Sequence, residues 1–109
     1  MPEPRPGETL AAGLLDPDLW AADPLPLLAR LRREAPVAWH AERGFWAVSR
    51  HRDVVAVESD AATFCAGRGI LVDEIGVRYD TPPTMMHSDP PIVEPIRAFL
   101  ARLPDPRPV

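Results

Sequence analysis

DPLPLLARLRREAPVAWH, residues 23–40, decides how this chain is read. Asp23 offers a side chain that can accept a backbone N–H at a helix start, and Pro24 brings a preset φ to the first helical position. Leu25, Leu27, Leu28 and Leu31 gather on one side, with Arg30, Arg32, Arg33 and Glu34 mostly on the other. That spacing predicts an amphipathic helix of about three turns, and its basic last turn suits the helix dipole. A proline disfavours helical geometry in the residue before it, so Pro36 ends the helix and an extended run, PVAWH, takes over.

Working outward, a four-residue loop, Ala41 to Gly44, separates PVAWH from FWAVSR at 45–50. Two β-rich runs around a short loop containing glycine read as a hairpin. From Asp53 to Phe64 the apolar residues are Val54, Val55, Val57, Ala61 and Phe64. The valines alone would suit a strand. Ser49 as a cap and the interleaved Asp, Glu and Arg favour a helix, ended by Gly67 and Gly69. Residues 68–83 show no clean period and read as a long loop. On the N-terminal side, Asp16-Pro17 repeats the capping pattern of Asp23-Pro24. Before it, residues 1–15 are expected to form a disordered tail, with Pro and Glu concentrated in residues 1–9. Trp20, Trp39, Trp46 and Phe45 are expected to fill a core beneath the hairpin.

Downstream, TMMHSDPPIVEPIRAFLARL at 84–103 carries two helix starts five residues apart. One is Asp89-Pro90-Pro91, with Ser88 and Asp89 as capping residues. The other begins at Pro95, whose missing N–H is harmless at a first helical position. Starting at Pro95, Ile96, Phe99, Leu100 and Leu103 fall at i, i+3, i+4 and i+7 on one face. Starting at Pro90, Pro95 falls inside the helix, where proline costs about 3 kcal/mol. The spacing favours the second start.

Composition narrows the function classes. The chain has 109 residues, 46% of them hydrophobic, 15 prolines and a net charge of −4. That length suits one small domain or part of a larger one. Lysine is absent, and an acidic balance argues against nucleic acid, which needs a basic face. No apolar run approaches the roughly 20 residues that span a bilayer, and the N-terminus lacks the pattern of a signal peptide. A cytoplasmic protein without a membrane partner is the expectation, and one cysteine, Cys65, excludes an internal disulfide.

Little chemistry is written in local motifs. Cys65, in Phe64-Cys65-Ala66-Gly67, reads as a small apolar residue at a helix end rather than a thiolate. His40, His51 and His87 lack the i+3 or i+4 partners of a zinc site, so no metal site is expected. His87-Ser88-Asp89 contains the residue types of a catalytic triad, but adjacency along the chain is not triad geometry. No phosphate-binding glycine loop is present, and no catalytic residue is assigned.

Residues 16–91 taken together resemble the N-terminal part of a bacterial cytochrome P450, a haem-thiolate monooxygenase. Three stretches carry the resemblance in order: DPLPLLARLRREAPVAWH, GFWAVSRHRDVVAVESDAATFCAGRG and MMHSDPP. The resemblance implies an α+β, mainly α fold: helix, β-hairpin, helix, long loop and C-terminal helix, with residues 16–109 as a partial P450 domain. It implies haem b in the complete protein, an O2-dependent oxidation of a small apolar substrate, and a redox partner, ferredoxin or flavoprotein. Ile70, Leu71 and Val72 lie where substrate contacts would fall. After Asp-Pro-Pro the family has a His and an Arg for the haem propionates. In that register Val93 stands at the His position and Arg97 at the Arg position. With Pro95 starting its own helix, Arg97 is a surface residue instead, and the haem-contacting helix is lost between Pro91 and Ile92. The family's thiolate loop is absent; Cys65-Ala66-Gly67 matches only its last three letters. No haem is expected on this chain alone, and the alternative is a small helical interaction module derived from a P450 segment.

Overall fold

Leu31, 1% exposed, is the residue around which the first part of the chain closes. The computed structural model describes residues 3–77, 84 and 86–104. The chain divides into two units, Met1–Ser59 and Asp60–Val109. The described residues are helices with one two-stranded antiparallel sheet, an α+β composition.

In the first unit α3, Leu25–Glu34, forms as its leucine spacing predicts. The Asp23 side chain accepts the Leu25 N–H at 3.1 Å, and the helix stops at Glu34, two residues before Pro36. Before it, α2, Pro17–Ala21, is started by Asp16, whose side chain accepts the Asp18 N–H. β1, Val37–His40, and β2, Phe45–Val48, pair antiparallel with Trp39 opposite Trp46. Gly44 takes a φ of +72° in the loop between them, the left-handed geometry that glycine adopts at no steric cost.

The stretch expected as a disordered tail is structured from Gly7 onward. α1, Glu8–Ala11, is helical, and Ala11 is fully buried against Leu31, Ala35 and Ala38. Leu10, Leu14, Leu27 and Leu28 pack around this cluster. The reason is steric. Gly7 has a φ of +69°, and a Cβ there would lie 2.6 Å from the Ala38 Cβ and 2.7 Å from the Ala35 Cβ. Three small residues let α1 approach the sheet closely enough to bury its apolar side. The Trp39 N–H also donates to the Pro6 carbonyl at 2.9 Å, so the segment before α1 lies along β1.

The tryptophans do not fill the core. Side chains alternate across a strand, and the inward positions of β1 are Ala38 and His40, both buried. Trp39 therefore faces outward and meets Trp46 at 5.1 Å between ring centroids, with the Arg5 guanidinium 4.2 Å from the Trp39 ring. Trp46 and Trp20 stay about half exposed, and Phe45 is partly covered by stacking on His40 at 4.8 Å.

α4, His51–Ser59, is the helix expected from Asp53 to Phe64, shifted toward the N-terminus. Ser49 does not cap it: its hydroxyl donates to the Pro36 carbonyl, and the Arg50 carbonyl accepts from Asp53 and Val54 instead. The Arg50 guanidinium donates to the Arg32 carbonyl at 2.9 Å, tying the start of α4 to the end of α3. The helix stops at Ser59, ahead of the two glycines, because Asp60 opens a separate turn. Its carboxylate accepts the Thr63 N–H and its carbonyl the Phe64 N–H.

In the second unit, part of the expected loop 68–83 is a 3-10 turn at Val72–Glu74, and residues 78–83 lie outside the described residues. α5 spans Val93–Ala101, so neither expected start is the observed one. The Asp89 carbonyl accepts from Ile92 and Val93, which makes the residues after Asp-Pro-Pro a lead-in turn to α5. Pro95 is its third residue, one of the positions whose N–H has no intrahelical acceptor, so it costs no hydrogen bond there. Val93 is buried; Ile96, Phe99, Leu100 and Leu103 are 37–62% exposed.

Candidate functional site

A cluster of polar side chains gathers in the second unit, on the irregular segments between Cys65 and α5. Glycine makes it possible at two points. Gly69 has a φ of +134°, and a Cβ there would lie 2.8 Å from Glu74 Oε2 and 2.9 Å from the Glu74 Cβ. A Cβ on Gly67 would lie 2.6 Å from Asp89 Oδ2. Each glycine thus lets a carboxylate lie directly against the backbone.

Asp89 uses that approach. Its carboxylate accepts the Ala66 N–H at 2.6 Å and the Gly67 N–H at 2.8 Å. Ser88 is buried, and its hydroxyl donates to the Thr84 carbonyl at 2.6 Å. Ser88 and Asp89 are thus anchors for the preceding segments, not caps of α5, whose first turn accepts no side-chain cap.

Glu74 is 6% exposed, and its carboxylate meets His87 Nε2 at 3.1 and 3.2 Å. The opposite ring nitrogen, Nδ1, lies 2.7 Å from the Thr84 hydroxyl. A carboxylate only accepts, so the proton between Glu74 and His87 sits on Nε2. In the neutral ring Nδ1 then accepts, and the Thr84 O–H donates to it. The His87 backbone N–H points at the same Thr84 oxygen from 3.3 Å. The chain of groups runs from a buried carboxylate through a half-buried imidazole to an exposed hydroxyl. Such an arrangement can draw a proton from the hydroxyl and hold the resulting imidazolium.

The triad-like triplet His87-Ser88-Asp89 is thus not wired within itself. His87 takes its partners from 13 residues upstream and three residues upstream. No spacing rule would have found Glu74, which reads as one acidic residue of a loop. The doublet Gly67 and Gly69, read as a helix end, was the usable signal, since glycine marks places where something approaches the backbone.

The other expected residues lie apart from this relay. Cys65, expected as a small apolar residue at a helix end, is exposed and lies beyond the end of α4 at Ser59. Ile70 and Leu71 are exposed, and Val72 opens the 3-10 turn half-buried. Arg97 is exposed on α5. In the first unit, His40 is buried and accepts the Arg43 N–H on Nδ1, while its Nε2 has no partner among the described residues. No group of three or more metal-ligating side chains forms among the described residues.

The residues present do not fit a haem. The single cysteine is exposed, whereas an axial thiolate works in a site closed to water. At the position where the resemblance puts a propionate-binding His stands Val93, which has no donor to offer.

No helix among the described residues is long and apolar enough to cross a membrane. No family model matches the chain, and no solved structure matches it. Curated proteins do. The chain is 46% identical over 55 residues to linalool 8-monooxygenase of Pseudomonas putida, covering 47% of this chain and 14% of that protein. It is 31% identical over 87 residues to cytochrome P450 CYP199A2 of Rhodopseudomonas palustris, covering 78% of this chain and 21% of the relative. It is 33% identical over 97 residues to cytochrome P450 130 of Mycobacterium tuberculosis, covering 80% and 24%. The chain thus spans between 13% and 24% of the length of the curated relatives it matches. These matches make the chain a partial relative of the cytochromes P450.

Proposed function

We propose that this chain is an N-terminal segment of a cytoplasmic cytochrome P450 monooxygenase and is inactive in haem chemistry by itself. The complete protein would bind haem b, take electrons from a ferredoxin or flavoprotein, and oxidise a small apolar substrate. The observation that carries this reading is the asymmetry of the matches: up to 80% of this chain against at most 24% of a relative. The exposed position of Cys65, the chain's one thiol, supports inactivity of the segment alone. The exposed apolar residues Ile70 and Leu71, with Val72, are the proposed substrate contacts of the complete protein. In the register that runs on from Asp-Pro-Pro without a gap, Val93 stands at the histidine position and Arg97 would hold a propionate; with the haem-contacting helix lost between Pro91 and Ile92, the reading we favour, Arg97 is a surface residue.

The test adds haem to the purified chain, reduces it with dithionite and admits CO. No thiolate-type Soret band is expected, and its appearance would refute inactivity. Sequencing the adjoining coding DNA tests the segment reading separately. A downstream reading frame with a Cys-x-Gly haem loop is expected, and an unrelated frame there would count against it. An intact related locus with no residues between the equivalents of Pro91 and Ile92 would refute loss of the haem-contacting helix.

A further inference from the structure

We propose that Thr84, His87 and Glu74 form a nucleophilic relay that accepts acyl groups from small activated esters. The proposal is independent of any haem chemistry. It rests on a nucleophile and a base in hydrogen-bond reach, with the base oriented by a third group.

The wiring has one direction. Glu74 Oε2 stands 3.1 Å from His87 Nε2, and His87 Nδ1 stands 2.7 Å from the Thr84 hydroxyl. The burial runs the same way: Glu74 is buried, His87 partly covered, and Thr84 exposed. A desolvated carboxylate strengthens its hold on an imidazolium, while the hydroxyl remains open to a substrate. The relay is braced on both sides. Gly69 leaves no room for a Cβ beside Glu74. Ser88 binds the Thr84 carbonyl, and Asp89 pins the same turn to Ala66 and Gly67.

The step balances without an oxidant or metal. The Thr84 oxygen forms a bond to the ester carbonyl carbon as its proton passes to His87 Nδ1. The His87 backbone N–H, 3.3 Å from the Thr84 hydroxyl oxygen, fixes the position of the nucleophile, and the negative charge of the tetrahedral adduct falls on the former carbonyl oxygen. The carbonyl then reforms, the bond to the leaving alcohol breaks, and His87 returns the proton to the departing oxygen. Water completes the cycle by the reverse sequence. It attacks the threonyl ester with His87 as base, releasing the carboxylic acid and restoring Thr84. The nucleophile is a secondary alcohol on an exposed turn, so small unhindered acyl groups are the class it can take.

p-Nitrophenyl acetate is the probe, applied to the full chain without haem. Intact-mass spectrometry and peptide fragmentation should find one acetyl group, on Thr84. Thr84→Ser should keep the adduct and Thr84→Val should abolish it. His87→Gln and Glu74→Gln should each slow its formation by about 100-fold, the usual range for loss of general-base assistance. Hydrogen exchange at the Ala66 and Gly67 amides reports whether each variant keeps the turn, so a loss through unfolding is recognised. Folded Thr84→Val that acetylates as fast as the parent overturns the proposal. So does an acetyl group found only on a histidine or the N-terminus.

Discussion

Gly7→Ala is a sharp test of how the first unit is assembled. Two costs add. Gly7 sits at a φ of +69°, where a non-glycine residue pays about 1 kcal/mol. The new methyl would also lie 2.6 Å from the Ala38 Cβ, 2.7 Å from the Ala35 Cβ and 3.0 Å from the Ala38 Cα. None of these belongs to the far end of a flexible side chain, so the backbone of α1 must move. Overpacking of that kind costs roughly 1–3 kcal/mol, and the sum is about 2–4 kcal/mol. A domain of this size has on the order of 5–10 kcal/mol to lose, so the effect is large. Gly44→Ala separates the two costs. Gly44 has nearly the same φ, +72°, but its nearest neighbour is a Trp39 ring atom at 3.9 Å. It should lose only about 1 kcal/mol. Urea unfolding followed by tryptophan fluorescence and circular dichroism gives both values. Equal midpoints for the two variants would refute close packing of α1 on the sheet.

Leu31→Ala removes the largest apolar side chain of the buried cluster and should destabilise the first unit by about 2–5 kcal/mol in the same melts. Asp89→Ala leaves the Ala66 and Gly67 N–H groups without their acceptor. It should cost about 1–3 kcal/mol and sharply speed hydrogen exchange at those two amides. Arg30 lowers the Glu34 carboxyl pKa, first through the 2.8 Å hydrogen bond it donates. A carboxyl depressed on folding adds stability above its unfolded pKa and loses it as pH falls through the folded value. In Arg30→Met, NMR titration should find the Glu34 pKa raised toward its ordinary range. That small acid-side loss should disappear, and in the parent chain salt should weaken it.

What could be read from the sequence was local. α3 and the hairpin each carry their own period, 3.6 and 2, and each has its stop signal: Pro36 for the helix, Gly44 for the turn. α1 could not be read that way. Four residues are too few to show a period, and its helix is held by Gly7, Ala35 and Ala38, small residues that look unremarkable singly. The tryptophans stand outside the core because strand alternation, not hydrophobic size, sets which side chains face inward: it places Ala38 inward and Trp39 outward. Pro95 is ambiguous in itself. A proline serves equally as first or third residue of a helix, so its presence did not locate the start of α5. The polar cluster was invisible for a different reason. Glu74 and His87 are 13 residues apart, and Asp89 reaches back 22 and 23 residues to Gly67 and Ala66, across a stretch with no periodic pattern.

The bond from the Trp39 N–H to the Pro6 carbonyl has a consequence for how this chain behaves among copies of itself. A sheet edge offers unpaired N–H and C=O groups to any passing strand. Along β1 that place is taken by a segment with proline at positions 4 and 6. Between them, the Arg5 N–H donates to the Glu8 carboxylate at 2.9 Å and the Arg5 carbonyl accepts from the Glu8 N–H, so the segment accepts from β1 and has already used the groups that could pass the pairing on. It terminates the sheet on that side as a blunt, non-propagating border. Deleting residues 1–6 would uncover the edge, and the expected outcome is chain-to-chain β pairing through β1.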